Sequence, residues 1–252
     1  MPENEKFLTT YLREIGVQTP VSLFASGPAI SAPEVAVEEK TALPATEVHA
    51  PAVDSSVIEI SSVEVSTSGG LSSLEAKAAT CRLCSLAETR TQVVFGTGNP
   101  SADIVFIGEA PGRDEDLKGE PFVGRAGQLL DRMLSAIGMD RNQVYIMNTI
   151  KCRPPNNRDP KIDEVQACNL WFEQQLALLQ PKVICLLGRV AAQTVLETDA
   201  PLGSLRGHWH NYQGMPVWVT YHPAYLLRSP TQKQKSWQDL QQLVSRYREI
   251  KG

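Results

Sequence analysis

The chain has no apolar run approaching the roughly 18 residues of a membrane-spanning helix, so no spanning segment is expected. No basic stretch leads into an apolar one near Met1, so no secretory signal is expected either. Cysteine is scarce and odd in number, five in 252 residues. In a chain without an export signal this excludes a disulfide framework and leaves metal or redox chemistry as the use for the thiols. Aromatic residues make up only 6% of the chain, and none falls between Ser26 and Ser72. That stretch is rich in Ala, Ser, Pro, Val and Glu and has no sustained period. It cannot bury enough apolar surface to offset chain entropy, and residues 26–72 are read as a disordered acidic linker. No internal repeat is present. An excess of positive charge is also missing: the formal net charge is −4, which over the whole chain argues against a nucleic-acid partner.

The charge is unevenly placed, however. Of the 24 Lys/Arg and 28 Asp/Glu, three basic and ten acidic residues lie in Met1–Ser72, a net of −7. Ser73–Gly252 keeps 21 and 18, a net of +3, which is compatible with a polyanion. At the front, Phe7, Leu8, Tyr11, Leu12, Ile15 and Val17 recur at roughly helical spacing. Residues 1–25 are read as a short amphipathic segment that could dock on a protein partner.

The body alternates strand and helix patterns. Asp103–Gly108, Val144–Asn148, Val183–Gly188 and Pro216–Tyr221 are short apolar, β-branched runs. Between and after them, Ala126–Gly138, Ile162–Gln180, Arg189–Glu197 and Thr231–Ile250 read as helices. The alternation predicts an α/β fold: a three-layer α/β/α domain over residues 73–252 with a central, mainly parallel four-stranded sheet. Ligands of such sheets sit beyond the carboxyl ends of the strands. The most unusual segments fall there: GEAPGRDED after the first strand, NTIKCRPPNNR after the second and HPAYLLRSP after the last. The third strand ends in the plainer GRVAAQ.

Cys81 and Cys84 form a C-x2-C pair that opens the body; Cys152 follows a strand end and Cys168 lies in the next helix. Four thiolates can close a tetrahedral site, and spacing alone admits either zinc or a four-iron cluster. Cys185, inside VICLLG, reads as a buried small hydrophobe.

These segments together resemble the family 4 uracil-DNA glycosylases, the iron–sulfur branch of that superfamily. The similarity runs from CRLC at Cys81 through VVFGTGNP, GEAPGRDEDLKGEPFVGRAGQLL and NTIKCRPPNNRDP to PLGSLRG and HPAYLLRSP, ending at Pro230. It implies a monofunctional glycosylase that hydrolyses the bond from uracil to C1′ in DNA, single- or double-stranded, and begins base excision repair. It also implies a cytoplasmic, nucleoid-associated monomer of bacterial or archaeal type, and a [4Fe–4S] cluster on Cys81, Cys84, Cys152 and Cys168.

The resemblance assigns roles residue by residue. Asn148 would read uracil, because an amide can accept from N3–H and donate to O4 at once, the reverse of what cytosine presents. His222, in the His-Pro motif, would donate to O2 as charge builds on the base. Glu109 would position the water or stabilise the oxocarbenium ion. The related family with a GQDPYH motif has an Asp where this chain has Ala110, so Glu109, or the Glu115–Asp116 pair, must compensate. Gly108 and Ala110 would line the pocket through backbone, and Phe122 would stack under the uracil ring. Leu226, Leu227 and Arg228 have the composition of a wedge plus a cation, and Arg125, Arg153 and Arg158 are candidate phosphate contacts. The glycines of the Gly124–Gly127 stretch are not a phosphate cradle of the Walker kind, since no Lys-Ser/Thr follows. A related branch traps uracil-DNA covalently through a histidine in the segment after the second strand. KCRPPNNRDP has none, so turnover is expected. A module that recruits partners through its acidic tail, with catalysis lost, would not need Glu109, Asn148 and His222 together.

Overall fold

The computed structural model of the protein describes residues 70–252. The amphipathic reading of 1–25 and nearly all of the linker reading of 26–72 lie outside the described residues. In chain order the helices are α1 (Leu71–Ala79), α2 (Leu86–Thr89), α3 (Arg113–Lys118), α4 (Arg125–Ala136), α5 (Ile162–Leu179), α6 (Arg189–Val195), α7 (Leu202–Leu205), α8 (Pro223–Arg228) and α9 (Lys233–Lys251). The strands are β1 (Thr97–Gly98), β2 (Ile104–Gly108), β3 (Tyr145–Asn148), β4 (Val183–Leu187), β5 (His210–Tyr212) and β6 (Met215–Thr220).

The sheet order is β1-β3-β2-β4-β6-β5. Its centre is the expected set of four parallel strands, β3, β2, β4 and β6. Two short antiparallel strands, β1 and β5, extend it at the edges. Every residue of β2, β3 and β4 is buried, as strands covered on both faces require.

Successive side chains of a strand point to opposite faces, and the cores follow that rule. Ile104, Phe106, Ile146, Cys185 and Leu187 pack with Leu130, Met133 and Leu134 of α4 and with Leu240 and Leu243 of α9. Their alternates Val105, Ile107, Met147, Ile184 and Leu186 pack with Phe172 and Leu176 of α5 and with Ala192 of α6. Cys185 is wholly buried, as a small hydrophobe would be. Two smaller clusters hold the first helices to this frame. Leu74, Ala78 and Phe95 pack with Trp171, and Leu86, Ile150, Cys152 and Cys168 form the other. Among the described residues no helix is long and apolar enough to cross a membrane.

Candidate active site and cysteine cavity

The parallel strands end together, and β2 and β3 end in register, with Gly108 opposite Asn148. A Cβ built on Gly108 would lie 2.5 Å from Asn148 Oδ1 and 2.7 Å from Phe122 Cζ. Only a glycine there leaves space for the amide and the ring to close on one point. Asn148 is 2% exposed, and its Oδ1 is one of two buried side-chain polar atoms without a hydrogen-bond partner among the described residues. The other, Trp218 Nε1, belongs to the core, and nothing in the structure explains it. A buried acceptor left unpaired costs about 1–3 kcal/mol, and this one sits where β2 and β3 end.

Phe122 holds a left-handed backbone, φ 55°, a conformation costly for a bulky residue. Its neighbours enforce it. Glu115 Oε1 accepts from the N–H groups of Val123 and Gly124, 3.0 Å each. Arg141 donates through Nη2 to the Phe122 carbonyl and through Nη1 to that of Pro121. A Cβ on Gly127 would stand 1.7 Å from the Phe122 carbonyl oxygen, so the first turn of α4 can close only over a glycine. The Phe122 ring lies 5.5 Å from that of His222.

His222 caps α8, and its Nδ1 accepts from Ala224 N–H at 3.1 Å. With the Nδ1 lone pair so used, the proton of the neutral ring is assigned to Nε2. Burial, then the positive charge of Arg228, push the imidazole pKa down to about 4, so the ring is neutral at physiological pH. Gly188, at φ 94°, leaves the room that His222 Cβ needs, since a Cβ there would come within 2.8 Å of it.

Glu109 follows Gly108. Its carbonyl accepts from Thr149 Oγ1 at 2.7 Å and Ile150 N–H at 3.2 Å. Burial, and then the negative charge of Asp159, push its carboxyl up to about 7, while Arg189 pulls the other way. Arg189 and Asp159 form an ion pair at 2.8 Å.

Gly108, Phe122, Asn148 and His222 are therefore linked by contacts at the strand ends, and Glu109 follows Gly108 with its carbonyl held by Thr149 and Ile150. Ala110 is placed differently: its methyl packs against the cluster of Leu86, Ile150, Cys152 and Cys168, so what remains for the pocket is backbone. Glu115 is engaged in holding the Phe122 turn, and Asp116 is buried, accepting from Thr91 N–H at 2.9 Å. Both carboxylates are thus taken up in holding backbone N–H groups. Leu226 is corrected outright: it is fully buried in the core and cannot wedge into a base stack. Leu227 is half-buried, and Arg228 and Arg125 are exposed. Arg153 donates to Asn157 Oδ1 at 2.7 Å. Arg158 grips the buried Glu164 through both terminal nitrogens, so it anchors the start of α5.

Cys81, Cys84, Cys152 and Cys168 line one cavity. Three of the sulfurs accept hydrogen bonds: Cys152 from Arg90 Nη1 at 3.1 Å, Cys81 from Trp171 Nε1 at 3.1 Å, and Cys168 from Lys151 N–H at 3.3 Å. Burial pushes the Cys168 thiol up to about 12 and moves Cys152 the same way. Sulfurs so buried become thiolates only against added positive charge. Among the described residues no group of three or more Cys, His, Asp or Glu is gathered to hold a single metal ion.

The sequence did not single out Arg90, Trp171, Arg141 or Arg189. Arg189 was findable, because it opens the segment after a strand end. The others act across 19 to 90 residues, a separation with no local signature.

The sequence model of the uracil DNA glycosylase superfamily matches residues 95–241. The chain is 43% identical over 181 residues to the type-4 uracil-DNA glycosylase of Archaeoglobus fulgidus, covering 69% of this chain and 91% of that one. To the type-4 enzyme of Sulfurisphaera tokodaii it is 41% identical over 169 residues, 64% and 77% of the two chains. To that of Thermotoga maritima it is 44% identical over 151 residues, 59% and 79%.

Proposed function

The chain belongs to the uracil-DNA glycosylase superfamily, and from that premise we propose that it is a monofunctional uracil-DNA glycosylase. It hydrolyses the N-glycosidic bond of uracil in DNA, leaves an abasic site and so begins base excision repair. The observation that carries this reading is the buried, unpaired Oδ1 of Asn148 opposite Gly108.

The target nucleotide leaves the base stack to reach the strand ends. Its ring lies against Phe122, a contact contributing on the order of 1–3 kcal/mol. Asn148 Oδ1 accepts from uracil N3–H while the amide nitrogen donates to O4. Cytosine has no proton on N3 and would leave the buried acceptor unpaired again. His222 Nε2–H donates to O2. As the bond from N1 to C1′ breaks, its electron pair leaves with the base, and this donor faces the charge that develops on O2. A neutral imidazole serves here because it need not give up its proton. Glu109, as a carboxylate, accepts from the water that adds to C1′ and faces the positive charge of the sugar.

The cysteine cavity fits a [4Fe–4S] cluster. The four sulfurs share one cavity, and three have N–H donors aimed at them. When bound, the cluster supplies covalent cross-linking between the Cys81–Cys84 segment, the loop after β3 and α5. Arg125, Arg153 and Arg228 remain as proposed phosphate contacts on single- or double-stranded DNA. The same reading carries a monomer working in the cytoplasm at the nucleoid, with residues 1–25 available to a protein partner.

Asn148→Ala tests the reading. Single-turnover release of uracil from an oligonucleotide should fall about 100-fold or more. The melting temperature should not fall, because an unpaired buried polar atom is removed. An unchanged rate would take Asn148 out of the mechanism.

A further inference from the structure

Lys151 is 1% exposed and among the largest fully buried side chains of the domain. An ammonium group in such a place is costly unless it is paired. No Asp or Glu among the described residues forms an ion pair with it. Its Nζ donates to the backbone carbonyl of Asn148 at 2.8 Å and to Gln175 Oε1 at 2.5 Å. Gln175, also buried, is itself fixed, donating to the Phe95 carbonyl and to Tyr145 Oη. A chain of hydrogen bonds thus runs from α5 to the last peptide of β3.

That peptide joins Asn148 to Thr149. Its N–H donates to the Gly108 carbonyl at 2.9 Å, and its carbonyl receives Lys151 Nζ. The peptide plane is held from both sides, which fixes ψ of Asn148 and with it the base from which the side chain projects. At its own backbone Lys151 touches the other centre, its N–H donating to Cys168 Sγ.

We infer that Lys151 is a positioning residue for Asn148: its ammonium clamps the strand-end peptide so that the amide meets uracil in a fixed orientation. The inference rests on the proposed role of Asn148 and deepens it, making a buried lysine part of how the site tells uracil from cytosine.

A double-mutant cycle on the iron-loaded protein tests it. Lys151→Met keeps the bulk of the side chain and removes its donors and charge, while the backbone N–H to Cys168 remains. With iron content matched to the parent, the single-turnover rate should fall about 10- to 100-fold, the scale of a small misplacement, and kcat should change more than KM. In an Asn148→Ala background the same change should cost less than about twofold, because coupled residues are not additive. Equal losses in the two backgrounds, or no loss in the parent, would overturn the inference. If Lys151→Met does not retain its iron, Lys151→Gln, which keeps a neutral donor, is read in the same cycle, with a smaller loss that again vanishes without Asn148. Loss of iron from both would also overturn it, since the side chain would then serve the cysteine cavity. If the unsubstituted protein releases no uracil from the same oligonucleotide, the functional reading fails, and that result is distinct from failure of the inference alone.

Discussion

Two residues at the strand ends have their ordinary protonation moved in opposite senses. Burial keeps His222 neutral, with a pKa of about 4, and Ala224 N–H leaves its proton on Nε2. Burial, and then Asp159, lift Glu109 to about 7. In the proposed mechanism the carboxylate positions the water, so single-turnover rates measured from pH 5 to 9 should rise through about pH 7 and then level. His222 adds no second limb in that range. Glu109→Gln should be slow and flat across it; a profile that still rises through pH 7 would assign the titration to another group. Stability moves the other way. The raised carboxyl favours the folded state fully below pH 4.5, and that contribution is lost as pH rises through 7. The strand-end positions of Asn148, His222 and Glu109 were legible because each follows or closes an apolar strand run and has unusual neighbours. Leu226 was misread because an apolar residue after a turn looks the same whether it faces a base stack or the core. Sequence carries no sign of which way it points.

At the scale of elements, the turn that carries Phe122 is the most constrained part of the site. A strained φ, two N–H groups on Glu115, the Arg141 contacts and the close approach of Gly127 all fix one ring. Gly127→Ala cannot be accommodated without moving either the turn or α4. It should destabilise the domain by on the order of 1–3 kcal/mol. It should also weaken binding of a uracil-containing oligonucleotide more than binding of an undamaged one, checked by thermal melting and fluorescence anisotropy. Equal weakening of both would detach Phe122 from recognition of the base. The four parallel strands were readable as apolar runs, and the long helices as periodic ones, because burial on both faces leaves a continuous signal. β1 and β5 were not, since two or three half-exposed residues have no period. Their pairing is set by the neighbouring strand.

Over the whole molecule, segments far apart in sequence meet at the cysteine cavity, from Cys81 at the front of the domain to Cys168 in α5. The loop after β3 runs from Asn148 to Cys152, and Lys151 in it is hydrogen-bonded both to the Asn148 carbonyl and to Cys168 Sγ. Cys152→Ser should therefore lose iron and the visible absorbance of the cluster, and melt at a lower temperature. A colourless parent protein that binds zinc would contradict the cluster assignment. The C-x2-C pair was legible as one side of a shared cysteine cavity. The donors that surround the sulfurs, Arg90 and Trp171, were not, because they reach across the fold.

The most direct measurement is a denaturing gel of an end-labelled oligonucleotide with a single uracil, incubated with the protein and split with and without alkali. A monofunctional glycosylase predicts cleavage at the uracil only after alkali, and none in a thymine control. An upward-shifted band that survives denaturation would instead mean a covalent trap. An unchanged oligonucleotide in every lane would contradict the account.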